Sequence, residues 1–313
     1  MTTRQRPAIW RLGTRASTLA LTQSAEVARA LTTVSGKPVQ LVEVTTTGDT
    51  SSQPLPEIGG TGVFVSALRE ALLADRIDLA VHSLKDLPTV AMPRLQVTAI
   101  PQRADVRDVL VARDASSLAE LPEGARVGTG SPRRAALLHE VRADLRVEQV
   151  RGNVDTRLRK LSDGEYDALV LAAAGLERLG RTDVVTEWLD PLVVLPAPGQ
   201  GALAIETRDD IAEDMPELAA ALAALDHPAT RAAVTAERSL LSALEAGCTA
   251  PVGALAVVDE PGFHSPELTL RAFVGATDGR AASRMSLTAP VIEAESAGRQ
   301  LAASLLEAGA VVA

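Results

Sequence analysis

The single cysteine of this 313-residue chain, Cys248, lies in Ala246-Gly247-Cys248-Thr249-Ala250-Pro251-Val252-Gly253, at the end of a long helical pattern. A lone thiol forms no intramolecular disulfide, and one sulfur makes a poor metal site by itself. Two readings remain. Free cysteine is among the most buried residue types, so Cys248 could be an inert core residue. Alternatively its thiolate is a nucleophile. Gly247, Pro251 and Gly253 describe an exposed turn rather than a packed position, which favours covalent chemistry.

A second candidate is Asp86, in His82-Ser83-Leu84-Lys85-Asp86-Leu87-Pro88. Adjacent opposite charges are ordinarily a solvated turn. Inside a cation-lined cleft, the carboxylate would instead act as an acid/base group or stabilise a developing cation. His82 by itself reads as a core residue. His139, His227 and His264 lie in unrelated contexts, and no His/Cys/carboxylate cluster has metal spacing.

The cations form a third set. The chain carries 28 Arg and 3 Lys. Base composition explains part of that excess, and binding of carboxylates or phosphates by the planar guanidinium is the alternative. Arg15 follows Gly13-Thr14. Arg133 and Arg134 follow Gly128-Thr129-Gly130-Ser131-Pro132, and Arg151 and Arg157 bracket Gly152-Asn153-Val154-Asp155-Thr156. Each group sits between a strand and a helix, with Ser131 and Asn153 as N-caps and Pro132 at the first helical position. Free N–H groups and the helix dipole favour anions there. Any one of these is a capped helix with solvated arginines. Three at corresponding places read as a cleft for a polyanion.

The elements that must position these residues alternate. Strand patterns over 9–12, 39–44 and 78–82 are separated by helices over 19–31 and 63–74. Val65, Leu68 and Leu72 share one face of the second helix. Strands over 108–112, 126–128, 146–150 and 168–172 follow, with helices starting near 132, 154 and 175. The expected fold class is α/β: two lobes with largely parallel sheets around a cleft. The segment 206–225 reads as a link. A small α+β domain closes the chain, with a helix over 229–246, strands over 252–258, 268–274 and 283–287, and a helix over 292–306.

Composition bounds the function. With 46% hydrophobic and 23% charged residues the chain is globular. A net charge of −9 disfavours nucleic acid and anionic membranes as partners. No apolar run is long enough to span a bilayer, and the N-terminus shows no signal-peptide stretch, so the expected location is the cytosol.

Five motifs, in order and spacing, resemble the porphobilinogen deaminases, also called hydroxymethylbilane synthases. They are His82–Pro88, Gly128–Arg134, Arg151–Asn153, Leu195-Pro196-Ala197-Pro198-Gly199-Gln200-Gly201 and Glu245–Cys248. The resemblance covers nearly the whole chain. It implies two lobes like those of type II periplasmic binding proteins, over 1–101 with 199–221 and over 102–198, and a third domain over 222–313. It implies a dipyrromethane cofactor joined to Cys248 by a thioether, and four rounds of head-to-tail condensation of porphobilinogen with loss of ammonia before hydrolytic release of hydroxymethylbilane. Asp86 matches the catalytic aspartate, stabilising the cation left when ammonia departs. Arg15, Arg133, Arg134, Arg151 and Arg157 match positions that hold cofactor and substrate carboxylates. Ser17, Ser83, Lys85, Thr129, Ser131, Gly152 and Gln200 match polar contacts around them. No metal is implied. A monomer is expected, with uroporphyrinogen-III synthase implied as the enzyme that takes the product.

Thr61 and Ser66 stand where many members carry lysine, Pro132 where leucine is frequent, and Ala246 where a second glycine is usual. Thr61 and Ser66 bear on how the loop over 57–64 engages the cleft. The rivals are a two-lobed solute-binding module without chemistry and a cysteine hydrolase. The first leaves the displayed thiol unexplained, and the second lacks a histidine base in a suggestive motif.

Overall fold

The computed structural model describes residues 9–44, 63–114, 116–247, 250–259, 265–275 and 282–311. Cys248 and the loop 57–62 lie outside these residues. The chain divides into two compact units, Met1–Arg103 with Ala202–Pro228, and Ala104–Gly201 with Ala229–Ala313.

In the first unit, strands β1 (Trp10–Thr14), β2 (Val39–Glu43), β3 (Leu79–Ser83) and β4 (Leu95–Ala99) form a sheet with β10 (Leu203–Arg208). Its order is β2-β1-β3-β10-β4, and β10 runs antiparallel to both neighbours. Helices α1 (Thr18–Ser35), α6 (Ile211–Asp214) and α7 (Pro216–Leu225) bury Val27, Leu31, Leu218 and Leu222 on one face, against Trp10, Leu12 and Ile205. Helix α2 (Val63–Leu73) packs Leu68 and Leu72 on the other, with Ile77 and Ala80. The sheet is covered on both faces, and its inner strands β3 and β10 are buried along nearly their whole length.

The second unit repeats this order in β7-β6-β8-β5-β9, with β5 antiparallel to both neighbours. The strands are β5 (Asp108–Ala112), β6 (Arg126–Gly128), β7 (Arg146–Glu148), β8 (Ala168–Ala172) and β9 (Glu187–Trp188). Between them lie α3 (Pro132–Val141), α4 (Val154–Ser162) and α5 (Ala173–Arg178). In both sheets the inserted antiparallel strand is the first one formed after the chain enters that unit. The same unit holds helix α8 (Pro228–Ala243), an antiparallel sheet of β11 (Val252–Val258), β12 (Glu267–Val274) and β13 (Ser283–Pro290), and helix α9 (Ala294–Glu307). Arg284 ties this part to the rest, donating to Glu140 and to the carbonyls of Leu192 and Val193.

The segment 206–225 is not a link. It contributes the end of β10 and all of α7, both packed in the first unit. Glu206, Thr207 and Arg208 hid the strand, because polar residues interrupt its apolar run. They are nevertheless buried. Arg69 pairs with Glu206, and Arg208 donates to the carbonyls of Leu72 and Ile77. Strand β4 is a further strand absent from the sequence reading, although Leu95-Gln96-Val97-Thr98-Ala99 alternates as a half-buried strand does.

Where the chain leaves the second unit, Gly201 has φ +86°, and its carbonyl accepts from Ala104 N at 3.3 Å. A Cβ there would lie 2.6 Å from Ala104 O and 2.9 Å from Asp105 O. Gly201→Ala is therefore expected to cost at least about 1–3 kcal/mol from backbone strain alone, with the clash in addition. A denaturant midpoint equal to that of the parent would contradict this packing.

Candidate active site

In the first unit, β1 ends at the buried Thr14, and Arg15, half-buried, follows on the turn into α1. Ser17 caps that helix, its Oγ accepting from Ala20 N at 3.4 Å. The neighbouring strand β3 ends at Ser83, whose Oγ accepts from Gln23 Nε2 of α1 at 3.0 Å. The chain then makes a 3-10 turn, Leu84–Asp86. Leu84 and Leu87 are 1% and 2% exposed, and each contributes about 2 kcal/mol of burial to hold the turn in place. Leu84 N also donates to Ala202 O at 3.0 Å. Between these anchors Lys85 is half-buried and Asp86 is exposed. Arg15, Ser17, Ser83, Lys85 and Asp86 thus share the carboxyl end of two adjacent parallel strands, where ligands of such sheets bind.

His82 is a core residue, as its context indicated. It is buried, with Nε2 3.2 Å from Glu206 Oε2. Burial alone would raise the Glu206 carboxyl, but the neighbouring His82 imidazole and the hydrogen-bonded Arg69 hold it below the usual range.

In the second unit, the loop after β6 is fixed by Thr129. Its N donates to Glu148 O at 2.9 Å, and its Oγ1 accepts from Ser131 N at 3.2 Å. Ser131 caps α3, accepting from Arg134 N at 3.4 Å, and Pro132 opens the helix. Asn153 caps α4, accepting from Thr156 N at 2.9 Å. Gly152 before it has φ +107°, and a Cβ there would lie 2.6 Å from Thr156 Cγ2, so this site requires glycine. Gly152 O accepts from Arg157 Nε at 2.8 Å. Arg151 is exposed, with a contact to Gln149 Oε1 at 3.4 Å.

Arg133 and Arg134 are not solvated. They are 3% and 6% exposed, and both donate to one carboxylate. Arg133 Nη2 reaches Asp108 Oδ2 at 2.8 Å, and Arg134 Nη2 reaches Oδ1 at 2.7 Å. Their Nη1 atoms donate to the carbonyls of Leu195 and Val170. Gln200 is fully buried on the same group, with Nε2 2.8 Å from Asp108 Oδ1 and 2.8 Å from Val106 O. Burial opposes ionisation of Asp108, but the two guanidinium groups overcome it and hold the carboxyl far below the usual range. The sequence marks Asp108 only as the start of a strand. The signal available was a carboxylate opening an otherwise apolar strand, Val109–Ala112, whose charge has to be matched from elsewhere.

Arg157 pairs with no carboxylate among the described residues, and burial followed by repulsion from Arg134 lowers its pKa. A group bearing carboxylates therefore fits this loop cluster. Among the described residues no three His, Cys, Asp or Glu side chains could hold a metal ion, and no helix is long and apolar enough to cross a membrane. Helix α8 is followed by the buried Leu244 and Ala246, and Gly247 O accepts from Ala250 N at 3.0 Å.

Residues 10–215 match the family model described as porphobilinogen deaminase, dipyromethane cofactor binding domain, and 231–307 match its C-terminal domain. The chain belongs to the porphobilinogen deaminase family. Porphobilinogen deaminase 1 of Streptomyces coelicolor is 57% identical over 308 residues, covering 96% of this chain and 95% of that one. The porphobilinogen deaminases of Acidothermus cellulolyticus (54% identical; 99% and 92% covered) and Mycobacterium tuberculosis (53%; 96% and 96%) are similarly related. A periplasmic substrate-binding protein from Coxiella burnetii aligns over 73% of this chain and 96% of its own, at 15% identity and a TM-score of 0.44. The activity is accordingly that of a porphobilinogen deaminase, a transferase of tetrapyrrole biosynthesis, and the solute-binding alternative is not favoured.

Proposed function

We propose that this deaminase carries its dipyrromethane on Cys248 through a thioether, and that Asp86 is its catalytic carboxylate. The exposure of Asp86 between two buried leucines, next to Lys85 and at the same sheet edge as Arg15, is the observation that carries the proposal. A carboxylate fixed in this way stabilises positive charge on the substrate as ammonia leaves, without reorganising at that moment. Its position on a rigid turn lets it serve every cycle.

The cofactor, when bound, supplies the pyrrole end to which substrate rings are joined. Arg133, Arg134, Arg151 and Arg157 would hold its carboxylates or those of added rings, with Thr129, Ser131 and Gly152 shaping the loops and Gln200 steadying the buried pair. Arg15, Ser17, Ser83 and Lys85 would bind the incoming porphobilinogen. The enzyme would work as a cytosolic monomer and pass hydroxymethylbilane to uroporphyrinogen-III synthase.

A cofactor of two rings and a product of four, with two carboxylates each, gather about twelve negative charges on one protein. Each new ring needs cations, so single arginines act at separate stages. Arg133→Leu and Arg134→Leu are expected to block assembly of the holoenzyme, whereas Arg15→Leu should permit assembly and halt early elongation. Native mass spectrometry after brief exposure to porphobilinogen counts the rings. The same distribution of intermediates in every variant, merely slower, would show that the arginines supply only a general field.

A further inference from the structure

Three guanidinium groups converge on the start of α3. Arg133 and Arg134 lie on the helix itself. Arg157 reaches the loop before it, its Nη2 4.0 Å from where a Cβ on Gly130 would stand. Among the described residues one carboxylate pairs with this set, Asp108, which binds Arg133 and Arg134 and leaves Arg157 without an acidic partner. Three positive charges less one leave two uncompensated. The Nε atoms of Arg133 and Arg134 are buried with no hydrogen-bond partner, so the pair retains donors that the protein does not use. Burying such donors is costly unless something accepts from them.

We propose that Asp108 is a positioning residue that sets the charge of this cluster to match the two carboxylates of one pyrrole ring, while fixing the direction of both buried guanidinium groups. The proposal rests on the assignment of these arginines to the dipyrromethane. Asp108 itself is fully buried and acts through the groups it holds. It accepts from Arg133, Arg134 and Gln200, so two motifs far apart in sequence, Gly128–Arg134 and Leu195–Gly201, are held by one carboxylate. Without Asp108 the cluster would carry three unmatched charges, and the folded chain would depend on external anions. With a second carboxylate it would have little need of a ligand.

The test uses the full-length Cys248→Ala chain, with its unmodified mass confirmed, and inorganic sulfate as the dianionic probe at constant ionic strength. Any anion that binds only the folded state raises the melting temperature as its concentration rises. Asp108→Asn in this background should melt well below the parent without sulfate, and the gap should narrow steadily as sulfate increases. Asp108→Glu, which keeps the charge, should follow the parent's slope. Arg157→Leu should flatten the slope. A gap for Asp108→Asn that stays constant at every sulfate concentration, or a variant that never folds even at high sulfate, would reduce Asp108 to a structural ion pair and overturn the proposal. So would a parent-like slope for Arg157→Leu. In the chain with Cys248 intact, intact mass after exposure to porphobilinogen separates the two claims. Normal cofactor loading by Asp108→Asn and Arg157→Leu, alongside the expected sulfate slopes, would retain the charge-setting role and reject the cluster as the cofactor's site.

Discussion

Cys248→Ala is expected to yield a folded chain of unmodified mass, no deaminase activity, and no pink colour with an acidic aldehyde reagent for pyrroles. Cys248 is the only thiol in the chain, so no other side chain can supply the same thioether. Folding should survive, because α8, α9 and the β11–β13 sheet bury their own core of Leu240, Leu268, Leu270, Leu301 and Leu305. The melting temperature should nevertheless fall below that of the holoenzyme, since a group bound only by the folded state stabilises it. Loss of activity with unchanged cofactor mass would place the tether elsewhere and give Cys248 another role.

Asp86→Asn should leave folding intact and lower turnover by roughly a hundred- to a thousand-fold or more, the range seen when a fixed electrostatic partner of a developing charge is removed. The side chain is exposed and the turn is held by Leu84 and Leu87, so the exchange removes charge without disturbing packing. Asp86→Glu keeps the charge but displaces it by about one methylene and should retain partial activity. Single-turnover rates on loaded enzyme would separate the two variants. Equal impairment of both would make placement, not charge, the controlling factor, and the role assigned to Asp86 would fail.

Much of this was legible in the sequence because the signals were local. Ser131, Pro132 and Asn153 marked helix starts that the structure places at Pro132 and Val154. The strands over 108–112 and 168–172 carry short apolar runs, 126–128 is a brief Arg-Val-Gly segment before a glycine-rich turn, and the limits of all three match. What escaped was set by tertiary pairing. Strand β10 could not be read because Glu206 and Arg208 look like surface residues until Arg69 and the carbonyls of Leu72 and Ile77 are brought to them. Asp108 escaped for the same reason, since its partners lie 25, 26 and 92 residues away. The arginines were found by type and position. That two of them are buried and shared by one carboxylate is a fact of packing, which no spacing rule contains.

The central claim is that this deaminase builds its product on a dipyrrole carried by Cys248, and intact mass of the purified active protein tests it most directly. The account predicts a chain heavier than its sequence by one dipyrromethane, with the added mass retained on the proteolytic peptide that contains Cys248. An active preparation whose mass equals that of the bare chain, or whose added mass lies on another peptide, would contradict it.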